Sequence, residues 1–315
     1  MKPQLPPNKD QHPKDHPSMT IAIASGKGGT GKTTLSVNLA KLVSATYPEA
    51  ETVLTDLDVE EPNSGLFLNS EVVDEQRVTR KIPEWIEEKC TYCNICRDVC
   101  QFNAIAVLPN QVLVFPELCH SCNACVGLCP ENALRMTDHH IGRLKHMTSE
   151  KLNFVEGELK IGEQQAVPMI AQTMDYSREK FPESALHVYD APPGTSCPVI
   201  ESVKDADYVI LVSEPTPFGL HDLKLSVKTM RKIGKRFGVV INRDGIGNND
   251  TVEYCREEGV DIIGRIPNMT EIARKYSRGE LISSIPEVRE QLFHILENIS
   301  QITGQSVLPG QKEEE

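Results

Sequence analysis

The sequence predicts an α/β protein, a doubly wound and mostly parallel sheet that carries a small inserted module. Three observations predict it. Short Val- and Ile-rich runs alternate with segments of helical period. A glycine-rich loop joins the first of those runs to the first helical segment. Two tandem cysteine runs break the alternation after residue 67.

In chain order, residues 20–25 (TIAIAS) read as a buried strand, followed by the glycine-rich loop and the helical run TTLSVNLAKLVSAT. Further strands are expected at 52–56, 185–190, 208–213, 237–242 and 262–267, each apolar and bounded by turn residues. Helical period marks 220–237, and a helix is expected near 167–180. Strands alternating with helices need both sheet faces covered, which is the doubly wound arrangement. From about Pro83 to His140 the sequence shows no long helix or strand. A short hairpin is expected around Glu156-Gly157. The expected organisation is a tail over 1–18, an α/β domain over 19–82 and 141–305, an insertion over 83–140, and a tail over 306–315.

Composition narrows the function classes. The chain has 315 residues, with 39% hydrophobic and 25% charged, as in an ordered soluble protein. Its formal net charge is −12, which repels a phosphate backbone and argues against a nucleic-acid partner. No apolar run reaches the ~20 residues of a membrane span, and the N-terminus lacks the apolar stretch of a secretory signal. The expected location is therefore cytoplasmic. There, 10 cysteines with clustered CxxC spacing favour metal over disulfides. His12 and His16 read as solvated tail residues.

The loop Gly26-Lys27-Gly28-Gly29-Thr30-Gly31-Lys32-Thr33 fits G-x-x-x-x-G-K-[ST], between a strand and a helix as the chemistry requires. Its glycines let backbone N–H groups cradle phosphate oxygens, and the helix N-terminus adds its positive end. Thr34 continues the phosphate-binding turn. Lys32 is expected on the β/γ-phosphates and the Thr33 hydroxyl on Mg²⁺.

Lys27, directly after the first glycine, makes this loop resemble the deviant Walker A motif of MinD/ParA/Mrp ATPases. These are P-loop NTPases whose relatives include the nitrogenase iron protein and the MinD-like ATPases of the orange-protein system. The resemblance covers roughly 19–67 and 141–300. It implies that Lys27 crosses an ATP-dependent dimer, homodimeric or between paralogues, to touch the partner's nucleotide. It also implies Asp56 and Asp190 near Mg²⁺, Asp58 orienting the attacking water, and Gly194 in switch II approaching the γ-phosphate. Asn242 resembles the adenine-contacting position. The sequence Asn242-Arg243-Asp244-Gly245 departs from the N-K-x-D signature of GTPases, so ATP is expected over GTP.

The cysteine runs are Cys90-x2-Cys93-x2-Cys96-x3-Cys100 and Cys119-x2-Cys122-x2-Cys125-x3-Cys129-Pro130, a repeat spaced by 29 residues. Both resemble the bacterial ferredoxin run, so the insertion is expected to be ferredoxin-like with two [4Fe–4S] clusters. In two-cluster ferredoxins the fourth cysteine of each run ligates the other cluster. The resemblance therefore assigns Cys90, Cys93, Cys96 and Cys129 to one cluster, and Cys119, Cys122, Cys125 and Cys100 to the other. Gln101 stands where proline is usual. Two tandem runs of four argue against zinc, whose structural sites use paired knuckles. Trp85 reads as a packing residue. Cys197 follows Asp190 at the offset of the cluster-bridging cysteine of the nitrogenase iron protein. Two readings of it stay open: a further metal ligand, or an ordinary loop thiol. Cys255 reads as structural. The adjacent His139 and His140, with His146, do not suit one ion.

Three functions follow. The first is an ATPase whose nucleotide state governs electron transfer to an unidentified redox partner. The second is a carrier or scaffold for metal clusters of the Mrp type, delivering to a metal-cluster protein. The third, a MinD/ParA-like positioning ATPase, ranks below both, because the chain is acidic and ends in LPGQKEEE rather than in a basic amphipathic helix.

Overall fold

The computed structural model describes residues 18–307. The expected N-terminal tail, with His12 and His16, falls almost wholly outside them.

Strand β1 (Met19–Ala24) leads through the glycine loop into helix α1 (Lys32–Thr46), and β2 (Thr52–Asp56) follows. Two long strands come next in the sheet, β3 (Glu71–Trp85) and, after the cysteine-rich segment, β6 (Leu134–Ser149). Between them lie α2 (Ile95–Asp98), the small hairpin β4 (Ile105–Leu108) and β5 (Gln111–Val114), and α3 (Ala124–Gly127). The chain then alternates: β7 (Leu152–Leu159), α4 (Ala166–Lys180), β8 (Leu186–Asp190), α5 (Cys197–Val203), β9 (Tyr208–Ser213), α6 (Pro217–Lys232), β10 (Phe237–Asp244), α7 (Asp250–Glu258), β11 (Ile262–Pro267), α8 (Thr270–Tyr276) and α9 (Pro286–Thr303).

The sheet has nine strands in the order β11-β10-β9-β1-β8-β2-β7-β6-β3. All pairs from β11 to β7 are parallel, and the β7–β6 and β6–β3 pairs are antiparallel. The alternation of β1 shows how both faces are filled. Ile21 and Ile23 join a core with Leu39 of α1 and Leu292 and Ile295 of α9. Ala22 and Ala24 join the opposite core with Met169 of α4, Val199 of α5 and Leu223 of α6. Such a sheet, buried on both faces, reads as continuous apolar runs.

Three expectations need correction. No hairpin turns at Glu156-Gly157, because β7 runs straight through both residues. The reversal lies at Glu150, which adopts φ 55° between β6 and β7. The limits 83 and 140 fall inside strands, since β3 continues to Trp85 and β6 begins at Leu134. These strands carry many charged residues because β3 lies at the sheet edge, so neither reads as an apolar run. At the C-terminus, Val307 is buried against the first core instead of starting in a tail at 306.

Candidate functional site

The C-terminal ends of the parallel strands gather the residues expected at the nucleotide site. Gly31 caps α1 in the left-handed region at φ 95°, and Gly29 also has positive φ. A Cβ at Gly31 would collide with Asn242 Nδ2, which donates to Thr30 O at 2.7 Å. Asn242 thus fastens the loop from the end of β10, and its Oδ1 accepts from Arg243 N. At the other end of the loop, a Cβ on Gly26 would meet the Asp222 backbone. Gly28 has open space around its Cα, and Thr34 sits in the first turn of α1. Gly194 has φ 101° and donates to Ser25 O at 2.9 Å, which ties the expected switch II to the loop.

Asp56 and Asp190 are register neighbours on β2 and β8, and both are fully buried. Asp190 accepts from Ser36 Oγ at 3.0 Å and Ser64 Oγ at 3.4 Å, and the Thr33 side chain also lowers its proton affinity. Asp56 accepts three backbone N–H groups, from Asp58 at 3.0 Å, Asn63 at 3.1 Å and Ser64 at 2.9 Å. Lys32, at the start of α1, is also buried. Lys27 Nζ lies 3.5 Å from Glu214 Oε2, and Arg243 Nη1 lies 2.9 Å from Glu214 Oε1. Glu214 was not singled out from the sequence. Its signal was an acidic residue directly after β9, the parallel neighbour of β1.

The cysteine runs form two pockets. One is lined by Cys90, Cys93, Cys96 and Cys129. The other is lined by Cys100, Cys119, Cys122 and Cys125. The repeat is structural as well as sequential. Tyr92, Asn94 and Asn103 have positive φ, as do Ser121, Asn123 and Asn132, each 29 residues on. Backbone N–H groups reach four sulfurs in the same pattern: Tyr92 to Cys90 and Ser121 to Cys119, then Ala104 to Cys100 and Ala133 to Cys129. Gln101 in place of proline leaves the Cys100 turn like its counterpart. Trp85 packs edge-on to Tyr92, with ring centroids 6.2 Å apart. Among the described residues, no group of three or more His, Cys, Asp or Glu surrounds the position of a single metal ion. Cys197 is exposed at the start of α5, apart from both pockets, and Cys255 is buried.

The CobQ/CobB/MinD/ParA nucleotide binding domain family, CbiA, matches residues 21–282. The chain belongs to this family. Two uncharacterized proteins of Methanocaldococcus jannaschii are similar to it. MJ0579 is 30% identical over 88% of this chain and 96% of its own length, and MJ0578 is 36% identical over 73% and 80%. Among solved structures, the cell division ATPase MinD of Pyrococcus furiosus superposes with TM-score 0.55 at 17% identity, over 90% of this chain and 99% of that one. The Mg-ADP complex of Pyrococcus horikoshii MinD gives TM-score 0.55 at 18% identity, over 91% and 98%. These likenesses establish the fold, a MinD-like P-loop NTPase fold. No helix of the described residues is long and apolar enough to cross a membrane.

The carboxylates of this family member are tuned by burial. Desolvation, and then the charge of Asp190, pushes Asp56 up from the ordinary carboxylate range, and desolvation raises Asp190 as well. Asp58 is raised to about 6, by burial first and then by the charge of Asp56. A carboxyl raised in the folded state binds protons more tightly there than in the unfolded chain. It therefore costs stability as pH climbs from the unfolded value near 3.8. A cation held between these carboxylates would reverse this. MgADP binding at pH 6 is expected to release protons, and at pH 8 almost none. Calorimetry in two buffers of different ionisation enthalpy measures the release, and equal heats in both buffers at pH 6 would rule it out.

Proposed function

We propose that this protein binds and hydrolyses MgATP as an iron–sulfur protein, and that its nucleotide state governs electron transfer through two [4Fe–4S] clusters to a redox partner. One observation carries the reading. The eight cysteines of the two runs line two pockets in the crossed partition expected of a two-cluster ferredoxin, each pocket taking three thiols from one run and the fourth from the other. Four thiols lining one pocket suit a polynuclear cubane. The N–H groups directed at sulfur suit thiolates, whose charge they stabilise. When bound, such clusters supply one-electron relay.

At the nucleotide site, the loop amides and Lys32 would hold the phosphates, and Thr33, Asp56 and Asp190 would hold Mg²⁺. That ion would neutralise charge on the β- and γ-phosphates. Asp58, ionised above about pH 6, can accept a hydrogen bond from water and aim its oxygen at the γ-phosphorus. The P–O bond to ADP then breaks in line. Lys27 would stabilise the leaving charge across an ATP-dependent dimer. In the isolated subunit Glu214 holds it, so dimer closure exchanges one anion for another.

Coupling between the sites has a physical route. Val59, next to Asp58, accepts from Leu159 N at 2.7 Å, and Lys160 N donates to Ile141 O of β6 at 2.8 Å. The following loop carries Glu163, which pairs with Arg80 of β3 at 3.2 Å. Both long strands run from this region to the cysteine-rich segment. An anaerobic redox titration followed by EPR tests the reading, with no nucleotide, with MgADP and with a non-hydrolysable MgATP analogue. The analogue alone is expected to shift at least one cluster by a tenfold change in its reduction equilibrium, ~59 mV. Identical potentials in all three states, with equal partner affinity, would overturn the coupling.

The carrier reading draws on Cys197, an exposed thiol within switch II. Iron transfer to an apo-acceptor that stops in Cys197→Ser would favour it.

A further inference from the structure

We propose that Arg80 makes the two cysteine-lined sites electrostatically unequal, holding the site of Cys100, Cys119, Cys122 and Cys125 at the higher reduction potential. The inference rests on the iron–sulfur reading above. Arg80 is buried on β3, with its guanidinium under the turn that opens the second cysteine run. Nη1 donates to Cys119 O at 2.8 Å and Nη2 to Pro116 O at 2.6 Å. Both carbonyls therefore point at a cation in a water-poor setting, where its field is little screened.

The repeat supplies an internal control. The positions 29 residues earlier are Cys90 and Glu87. Among the described residues, no side chain is bonded to either carbonyl of that turn, while the two turns carry the same formal charge of their own, Glu87, Glu88 and Lys89 against Glu117. The pocket linings differ in the same sense. Glu131 lines the first pocket, whereas the second has no acidic residue and includes His120, stacked on Phe102 at 3.8 Å. An added electron is thus favoured at the second site.

Glu163 gives the argument its sign. Its side chain is buried, Oε1 lies 3.2 Å from Arg80 Nη2, and Oε2 lies 3.1 Å from His139 Nε2. It offsets part of the Arg80 charge without touching the Cys119 turn. Removing Arg80 and removing Glu163 should therefore move the same potential in opposite directions. A merely structural role would disturb the site in one direction for both.

The test is an anaerobic, EPR-monitored redox titration of the full-length, iron-loaded chain, at one pH well above the histidine range and without nucleotide. The wild type is expected to reduce in two waves. Arg80→Gln should lower the upper wave by about tenfold in its reduction equilibrium, ~59 mV, and leave the lower wave in place. Arg80→Lys should restore most of it. Glu163→Gln should raise the upper wave. A single wave in the wild type, an unmoved upper wave, a shift of the lower wave, or shifts of like sign in Arg80→Gln and Glu163→Gln would each overturn the proposal. Where Arg80→Gln loses iron, the upward shift of Glu163→Gln and the retained wave of Arg80→Lys decide it. A wild-type chain that assembles no pair of [4Fe–4S] clusters would sink the iron–sulfur reading itself. Two clusters of unchanged potential in both variants would sink only the role of Arg80.

Discussion

Lys32→Ala is expected to abolish nucleotide binding, with affinity for MgADP falling at least about a hundredfold and hydrolysis lost with it. The side chain is buried at the first residue of α1, and its charge acts on both Asp58 and Asp190. Its removal leaves three clustered carboxylates facing an incoming polyanion without their nearest cation. Breaking a buried charge pairing costs about 3–5 kcal/mol, and each 1.4 kcal/mol is about tenfold. Lys27→Ala should behave differently, because Lys27 is partly exposed and already paired with Glu214 in its own subunit. MgADP affinity of that variant should stay within about threefold of wild type, while ATP-dependent dimerisation and turnover collapse. Calorimetry for binding, light scattering for dimerisation and phosphate release for turnover separate the two lysines. Normal hydrolysis by Lys27→Ala would remove the role in trans, and normal binding by Lys32→Ala would remove the assigned phosphate contact.

The difference between those lysines was legible in the sequence only on one side. The loop pattern located Lys27 and Lys32, and the strands that carry Asp56 and Asp190 appeared as apolar runs because both sheet faces are buried. Periodicity placed α4 and α6 for the same reason, since a helix packed on a sheet must present one apolar stripe. The charged residues of β3 and β6 gave no such signal. At the sheet edge, pairing is held by backbone hydrogen bonds and by exposed pairs such as Lys81–Asp138 and Arg135–Glu84. Glu214 and Arg80 were silent because their importance comes from residues distant in the chain: Lys27 for one, and Cys119 with Glu163 for the other. Asn242 was expected against adenine from the sequence, whereas its amide bonds the loop carbonyl of Thr30, a contact only the folded chain defines.

Extruding the proposed clusters is expected to unfold the cysteine-rich segment while leaving the nucleotide domain intact. Between Trp85 and Leu134 the regular elements are helices and strands of three or four residues. The buried members of its larger apolar cluster are only Ile105, Val112, Cys125 and Leu134, and the smaller cluster counts Cys119 among its three. Ordering each residue costs about 1–2 kcal/mol of backbone entropy, more than so few apolar side chains offset at about 1.5–3 kcal/mol each. In the iron–sulfur reading, metal ligation supplies the difference. Hydrogen exchange after anaerobic chelation should show amides of 87–133 at unprotected rates. Strands β1, β8 and β9 should keep their protection, and MgADP affinity should stay within about threefold, because their cores share no residue with the cysteine clusters. The inner part of the β3–β6 pair should also survive, since β6 is pinned by β7 from Gly142 to Ser149. Unchanged protection of 87–133 would mean that the thiol-lined pockets stand without their contents. That result would turn the reading from a resident electron relay toward a carrier, for which a preformed, reloadable site is the physical requirement.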